Sequence, residues 1–340
     1  MKICINCFND IEIIQYIQTN FTIEGECDYC HDGLHSKLID INELLDFFAE
    51  FISIFQISPT GVPLFDLIQN DWNLFSNNAG SRLLLDDILT SLDAPFHEAN
   101  TLVSYTNEII ECVAYWEELK EKIKWENRFL TNIDKLEELH WHHLFNRTVL
   151  LSEDELLYRA RLHYDDNQAV FDTGHMGCPE RSKTNAGRAN PQGIPYLYLS
   201  RTAETTLYEI RATYLDELSV GTFKVNADSE IILVDFTESV SAFYQGEESI
   251  SELTKSMLLK RAISADLSKP IRRYDSVLEY IPTQFICEYI KYLYSADGII
   301  FDSSLHQGGK NIVLFNQQKV ECTIVQKYRT TMVAIQSAII

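Results

Sequence analysis

The sequence predicts an α+β protein in two parts: a cysteine knuckle followed by a helical bundle up to about residue 150, and a mixed α+β domain beyond it. Three observations carry that expectation. Two Cys-x-x-Cys pairs stand in the first thirty residues, apolar residues then recur at helical spacing to about residue 125, and short β-rich runs bounded by turn residues fill the second half. At 340 residues and 46% apolar, the chain is long enough for two domains and can bury an ordinary core. The two parts also differ in charge. Residues 1–150 carry 9 basic and 25 acidic side chains against 19 and 25 in residues 151–340, so most of the net charge of −22 sits in the first part.

The first element is the pair of knuckles, Cys4-x-x-Cys7 and Cys27-x-x-Cys30. Four thiolates at this spacing can close a tetrahedron around zinc, and a closed site has no open position for chemistry, so the expected metal is structural. Eight cysteines in so long a chain do not make a disulfide scaffold, which fits a reducing compartment. His31 adjoins Cys30 but neighbouring residues seldom both reach one metal, so it is left out. The knuckle is assigned to residues 1–35.

Residues 36–150 follow as a helical domain and connector. Asp40-Ile-Asn-Glu43 has the form of a capping box, with Leu44, Leu45, Phe47, Phe48, Phe51, Ile52 and Phe55 at helical spacing after it. Further helices are expected over 81–92 and over 101–125, where Leu102, Tyr105, Ile109, Val113, Trp116 and Ile123 form a stripe. From residue 151 the expected strands are 196–200, 221–225, 231–236, 298–302, 312–315 and 322–325. The expected helices there are 202–214, 249–266 and 282–294. Strands and helices do not alternate strictly, so a compact antiparallel or mixed sheet is expected over 151–330 rather than a doubly wound one, with a tail at 331–340.

So negative a balance repels phosphate backbones and anionic lipid, which argues against a nucleic-acid or membrane-surface partner. No run of eighteen uncharged apolar residues is present, and the start, MKICINCFNDIEII, breaks any apolar segment with acids and cysteines, so a cytoplasmic protein is expected. No Gly-rich phosphate loop appears either. Polar residues cluster instead beside strands and turns: Tyr158-Arg159-Ala160-Arg161, then Gly187-Arg188-Ala189-Asn190 ahead of Tyr198, and Ser303-Ser304 at the end of an apolar run. On its helix Glu209 shares a face of small or polar residues with Thr205, Thr206 and Ala212, which can border a cleft or meet water.

Taken in order, LYRAR, GRANPQGIPYLYLS with Glu209 eleven residues after Tyr198, and DGIIFDSS followed by GGKNIVLF resemble the RES domain, a bacterial toxin family. The resemblance covers about 151–330, and departs at Ala189, where many relatives carry a bulky aromatic. The first part resembles the HEPN-type helical domain with cysteine knuckles found in front of some RES domains. The RES resemblance implies a fold related to ADP-ribosyltransferases and cleavage of the nicotinamide–ribose bond of NAD by phosphorolysis or hydrolysis. By position, Arg159, Arg188, Tyr198, Glu209 and Ser303 match the family's active-site residues. In that reading Glu209, Arg159 and Ser303 are catalytic, and Arg159, Arg188, Tyr198 and Ser303 bind NAD.

These residue types suit that chemistry. A carboxylate stabilises the positive charge that grows on the ribose as nicotinamide leaves, and guanidinium forks suit a pyrophosphate, or inorganic phosphate if that is the acceptor. No catalytic metal is required. Two other outcomes stand beside this one: mono-ADP-ribosyl transfer to a protein, and an RNA-targeting or nucleotide-binding role for the helical part. Against RNA cleavage, neither Arg82 nor Arg128 is followed by His five to seven residues on. An antitoxin or regulatory protein is the further partner class that a toxin implies.

Overall fold

The computed structural model describes residues 1–30, 35–77, 80–129, 134–146, 148–165, 168–227, 229–237, 240–243, 248–269 and 277–333. The chain divides into two compact units, Met1–Ala114 with Ser239–Leu258, and Tyr115–Glu238 with Leu259–Ile340.

The first unit contains β1 (Lys2–Cys4), α1 (Ile11–Asn20), β2 (Ile23–Gly25), β3 (Ser36–Asp40), α2 (Leu45–Ser53), β4 (Phe55–Pro63), α3 (Leu64–Trp72), α4 (Gly80–Ser91) and β5 (Leu102–Tyr105), with α5 (Asn107–Trp125) after them. Helix α1 starts at Asp10, whose carboxylate accepts hydrogen bonds from the Glu12 and Ile13 amides. Asp40 and Glu43 form the expected capping box, here on a 3₁₀ turn (Ile41–Leu44) that leads into α2. Ile3, Ile13, Phe48, Phe51 and Phe75 are fully buried in the core beneath.

The expected helical bundle is corrected: helices share this unit with two small sheets, β1-β3-β2 and β4-β5. Leu102–Tyr105, taken above as the first turn of a helix, is strand β5, burying Val103 and Tyr105 on one face and pairing with β4. Strand β4 carries Pro59 and Gly61, residues that normally punctuate, and bulges between Ile57 and Val62. Gly61 is required there, since a Cβ would meet the Val103 carbonyl oxygen at 2.1 Å.

The second unit takes in the last part of α5 from Tyr115, then the short helices α6 (Asp134–Glu138) and α7 (Trp141–Leu144), followed by β6 (Thr148–Leu151), β7 (Leu157–Leu162), β8 (Leu197–Ser200), α8 (Ala203–Glu209), β9 (Glu217–Val225) and β10 (Ile231–Asp235). After these come α9 (Ile250–Ser268), α10 (Ile281–Leu293), β11 (Gly298–Asp302), β12 (Lys310–Leu314) and β13 (Val320–Arg329). The strands form one eight-stranded mixed sheet in the order β13-β9-β7-β8-β12-β11-β10-β6, antiparallel except for β10 with β11. The mixed α+β architecture expected for this part is therefore present. One sheet face buries Leu157, Leu197, Leu199, Ile312 and Leu314, each contributing about 1.5–3 kcal/mol by its removal from water. On the other face α8 packs Ala203, Leu207 and Ile210 against Ala160, Leu218 and Val220.

Two features of this unit position the site. Strand β7 pairs along its whole length with β9, but with β8 only at Tyr158↔Ser200, so the sheet has a seam. Helix α8 is shorter than expected, stopping at Glu209 rather than Tyr214. Arg211 adopts a left-handed conformation (φ 53°), and the Arg211 and Ala212 amides donate back to the carbonyls of Tyr208 and Leu207. That is a Schellman stop without glycine, and it makes Glu209 the last helical residue. Nothing among the described residues is a helix long and apolar enough to cross a membrane.

Candidate active site

Arg159, Arg188, Tyr198 and Glu209, read from separate segments, line one cavity of about 320 Å³, and Ser304 and Asn311 line it with them. Ser303 stands one step behind the wall and reaches the site through Glu209.

Arg159 lies at the seam. Its Nη1 donates to the Tyr198 carbonyl at 3.2 Å, one residue on from the only backbone pair between β7 and β8. Its Nε is buried with no hydrogen-bond partner among the described residues. Burial, and then the like charge of Arg161, pulls this guanidinium down to about 10, which leaves it a cation at neutral pH.

Arg188 belongs to the loop ahead of β8 and donates from Nη1 to the Leu267 carbonyl at 2.5 Å, in the last turn of α9, where helix carbonyls lack partners of their own. The loop is fixed from two sides. Gln284 of α10 donates to the Gly187 and Asn190 carbonyls at 2.8 and 3.0 Å, and Thr283 donates to the Arg188 carbonyl at 2.5 Å. From the sheet, the Tyr198 hydroxyl donates to Asn190 Oδ1 at 2.8 Å and accepts from the Ala189 amide at 3.0 Å. Burial pushes this phenol up, so it stays protonated, and its commitments leave the ring as the part of Tyr198 offered to the cavity.

Glu209 is set by the stop of α8. Thr205 and Thr206, which share its helix face, are buried, so that face turns inward rather than to water. Its Oε1 accepts two hydrogen bonds, from Ser303 Oγ at 2.6 Å and from Asn311 Nδ2 at 2.7 Å. Ser303 Oγ itself accepts from the Leu305 and His306 amides at 3.2 and 3.1 Å, so its hydroxyl is aimed at the carboxylate. Of the adjacent serines, Ser304 is the one on the cavity wall.

Asn311 closes the Gly308-Gly309-Lys310-Asn311 segment of the third polar cluster, and the sequence alone assigns it no role. The available signal was a polar residue opening the apolar run Ile312-Val313-Leu314, on a strand that pairs with the segment ending in Ser200.

Among the described residues Arg159 and Arg188 make their hydrogen bonds to backbone carbonyls and form no ion pair, in a chain whose net charge is −22, although the charge of Glu209 acts on Arg188. Arginine has five N–H donors, and each of these spends one on a backbone carbonyl. Guanidinium forks of this kind suit an anion with planar, paired acceptors, and here they stand beside one oriented carboxylate.

In the first unit the sulfurs of Cys4, Cys7, Cys27 and Cys30 lie within 4.8 Å of one another. Cys4 and Cys30 are 3.3 Å apart and Cys7 and Cys27 are 3.4 Å apart. Four sulfurs at metal–sulfur distances of about 2.3 Å stand roughly 3.8 Å from each other, so the cluster has the dimensions of a tetrahedral site and can hold a metal ion. Neighbouring thiols and burial hold the Cys4 thiol above its ordinary range, and a bound cation is what lets clustered thiols ionise together. His31 lies outside the described residues.

The cavity at the sheet seam thus brings two arginines and one fixed carboxylate together. The chain belongs to the RES domain family, which matches residues 156–332, and that family is generally associated with NAD-related toxin function. The match begins at Leu156, so the cysteine cluster lies outside it. No curated protein and no solved structure matches the chain.

Proposed function

We propose that this protein consumes NAD, breaking the bond between nicotinamide and ribose. The observation that carries the reading is Glu209: one carboxylate oxygen held by Ser303 and Asn311, in the same cavity as two arginines that have no carboxylate within ion-pairing distance among the described residues. The pyrophosphate is the group of NAD that suits Arg159 and Arg188. The ring of Tyr198 is a stacking surface for a planar base. A cavity of about 320 Å³ is near the lower bound for small-molecule sites, which suits one half of a dinucleotide with the rest reaching outward.

In the reaction the C1′–N bond breaks with its electron pair passing to nicotinamide, which leaves neutral, and positive charge grows on the ribosyl carbon. The Glu209 carboxylate stabilises that charge and orients the ribose hydroxyl or the nucleophile. If water is the acceptor, its oxygen bonds to C1′ and it loses a proton, giving ADP-ribose. If inorganic phosphate is the acceptor, a phosphate oxygen bonds there and the product is phosphorylated ADP-ribose. Ser303 acts through Glu209 and is a positioning residue. The cysteine cluster is read as a structural zinc site in residues 1–35, outside the catalytic domain.

The test incubates the purified full chain with NAD, with and without inorganic phosphate, and follows nicotinamide and the sugar products by chromatography. A mass-spectrometric search for ADP-ribosylated protein runs beside it. Nicotinamide release with free ADP-ribose or its phosphate ester is expected. Release matched only by modified protein would replace the reading with ADP-ribosyl transfer, and no release would end it.

A further inference from the structure

Ser200 ends β8 directly opposite Asn311 of β12, and both side chains are more than nine-tenths buried. Ser200 Oγ donates to Asn311 Oδ1 at 2.8 Å, while Asn311 Nδ2 donates to Glu209 Oε1 at 2.7 Å. A carboxylate only accepts, so the amide must present its NH₂ to Glu209 and its oxygen to Ser200, and Ser200 must then be the donor. The direction of the whole chain of bonds is fixed by chemistry.

We propose that Ser200 and Asn311 are positioning residues for the reaction, which together with Ser303 fasten Glu209 by Oε1 alone and leave Oε2 as the working oxygen. This rests on the reading of Glu209 as the charge-stabilising carboxylate. Two donors converge on one oxygen from different strand ends, Asn311 from the start of β12 and Ser303 from just beyond β11, which fixes the plane of the carboxylate as well as its place. A carboxylate held by one donor can swing about its terminal bond. One held by two on the same oxygen presents the other oxygen in a single direction, which is the preorganisation that charge stabilisation needs. Ser200 lines the same cavity but makes no hydrogen bond to Glu209, its hydroxyl being committed to Asn311. Its part is to keep the Asn311 amide from turning its oxygen toward the carboxylate.

The test is steady-state kinetics of NAD consumption by the full chain, with NAD affinity measured separately by titration and folding by thermal melting. Asn311→Ala is expected to lower kcat by about 100-fold and Ser200→Ala by about 10-fold, the scale of a small misplacement of a catalytic group. KM and NAD affinity stay within about threefold in both, because the arginines are untouched. Ser200→Thr, which keeps the hydroxyl, recovers most of the loss. A kcat for Asn311→Ala near that of the parent overturns the proposal, as does a loss that falls on affinity instead of kcat. If Asn311→Ala does not fold, the serine pair decides alone: equal activity in Ser200→Ala and Ser200→Thr is the adverse result. A parent protein without NAD turnover defeats the proposed function itself, and is thereby distinguishable from a failure of this inference.

Discussion

Replacing Glu209 by glutamine removes a charge while leaving the shape of the site almost unchanged. The new amide oxygen takes the place of Oε1 and still accepts from Ser303 Oγ and Asn311 Nδ2, and the amide nitrogen takes the place of Oε2. Each of the two hydrogen bonds passes from a charged to a neutral acceptor, which costs about 1 kcal/mol or less apiece at a half-buried position. The melting temperature should therefore fall by only a few degrees, roughly 2–4 °C per kcal/mol for a domain of this size. The chemical step loses the negative charge that faces the ribosyl carbon, and a deficit of about 4 kcal/mol is a fall of about 10³-fold in kcat. The assay is nicotinamide release under saturating NAD, alongside a melting curve. Turnover within tenfold of the parent in a folded Glu209→Gln protein would refute the assignment. A melting temperature lowered by more than 10 °C would refute the claim that the two donors tolerate a neutral acceptor.

Tyr198→Phe leaves the Ala189 amide and Asn190 Oδ1 without the phenol, a loss of about 1–3 kcal/mol in stability. Because Arg188 rides on that loop, KM for NAD should rise more than kcat falls, and an unchanged KM would count against the loop's role in binding. Cys27→Ser removes one of four clustered sulfurs, so elemental analysis should find zinc in the reduced parent and markedly less in the variant, with a lower melting temperature. A parent free of zinc would dismiss the structural-metal reading. Glu217 is held down to about 2 by hydrogen bonds from Lys327 and Arg329 across the β9–β13 pair. Its contribution is present above the ordinary value of 4.5 and is lost as pH falls from there toward 2. The melting difference between the parent and Glu217→Gln should accordingly shrink across that window, and a difference constant with pH would contradict the ion pair.

What the sequence revealed followed the strength of its local signals. The strands over residues 231–235 and 298–302 and the helices over 250–268 and 281–293 stood out because long apolar or periodic runs were bounded by turn residues. In the first part the three-residue strands Lys2–Cys4 and Ile23–Gly25 are too short for any period to show, and β4 hides behind its proline and glycine. Strand β7 was noticed for its arginines, not as a strand, because Arg159 and Arg161 interrupt its apolar alternation. Cys4, Cys7, Cys27 and Cys30 were legible together, since their spacing alone brings them close. At the other site, Arg159, Arg188, Tyr198 and Glu209 were legible only as a pattern across some fifty residues. Asn311 stands in a polar cluster of the sequence, but its place beside Glu209 does not show there, because it depends on a partner on another strand and a carboxylate 102 positions away in the chain. The left-handed turn at Arg211 that ends α8 was equally hidden, since nothing in arginine announces that conformation.

The sparse pairing between β7 and β8 gives the sheet a line of mechanical compliance. On one side three strands, and on the other five, are paired in ladders, while a single backbone pair and a hydrogen bond from Arg159 join β7 to β8 along the line itself. Across that line the two panels are held by the core they share on one face and by α8 on the other, so the backbone there is left unladdered without the sheet coming apart.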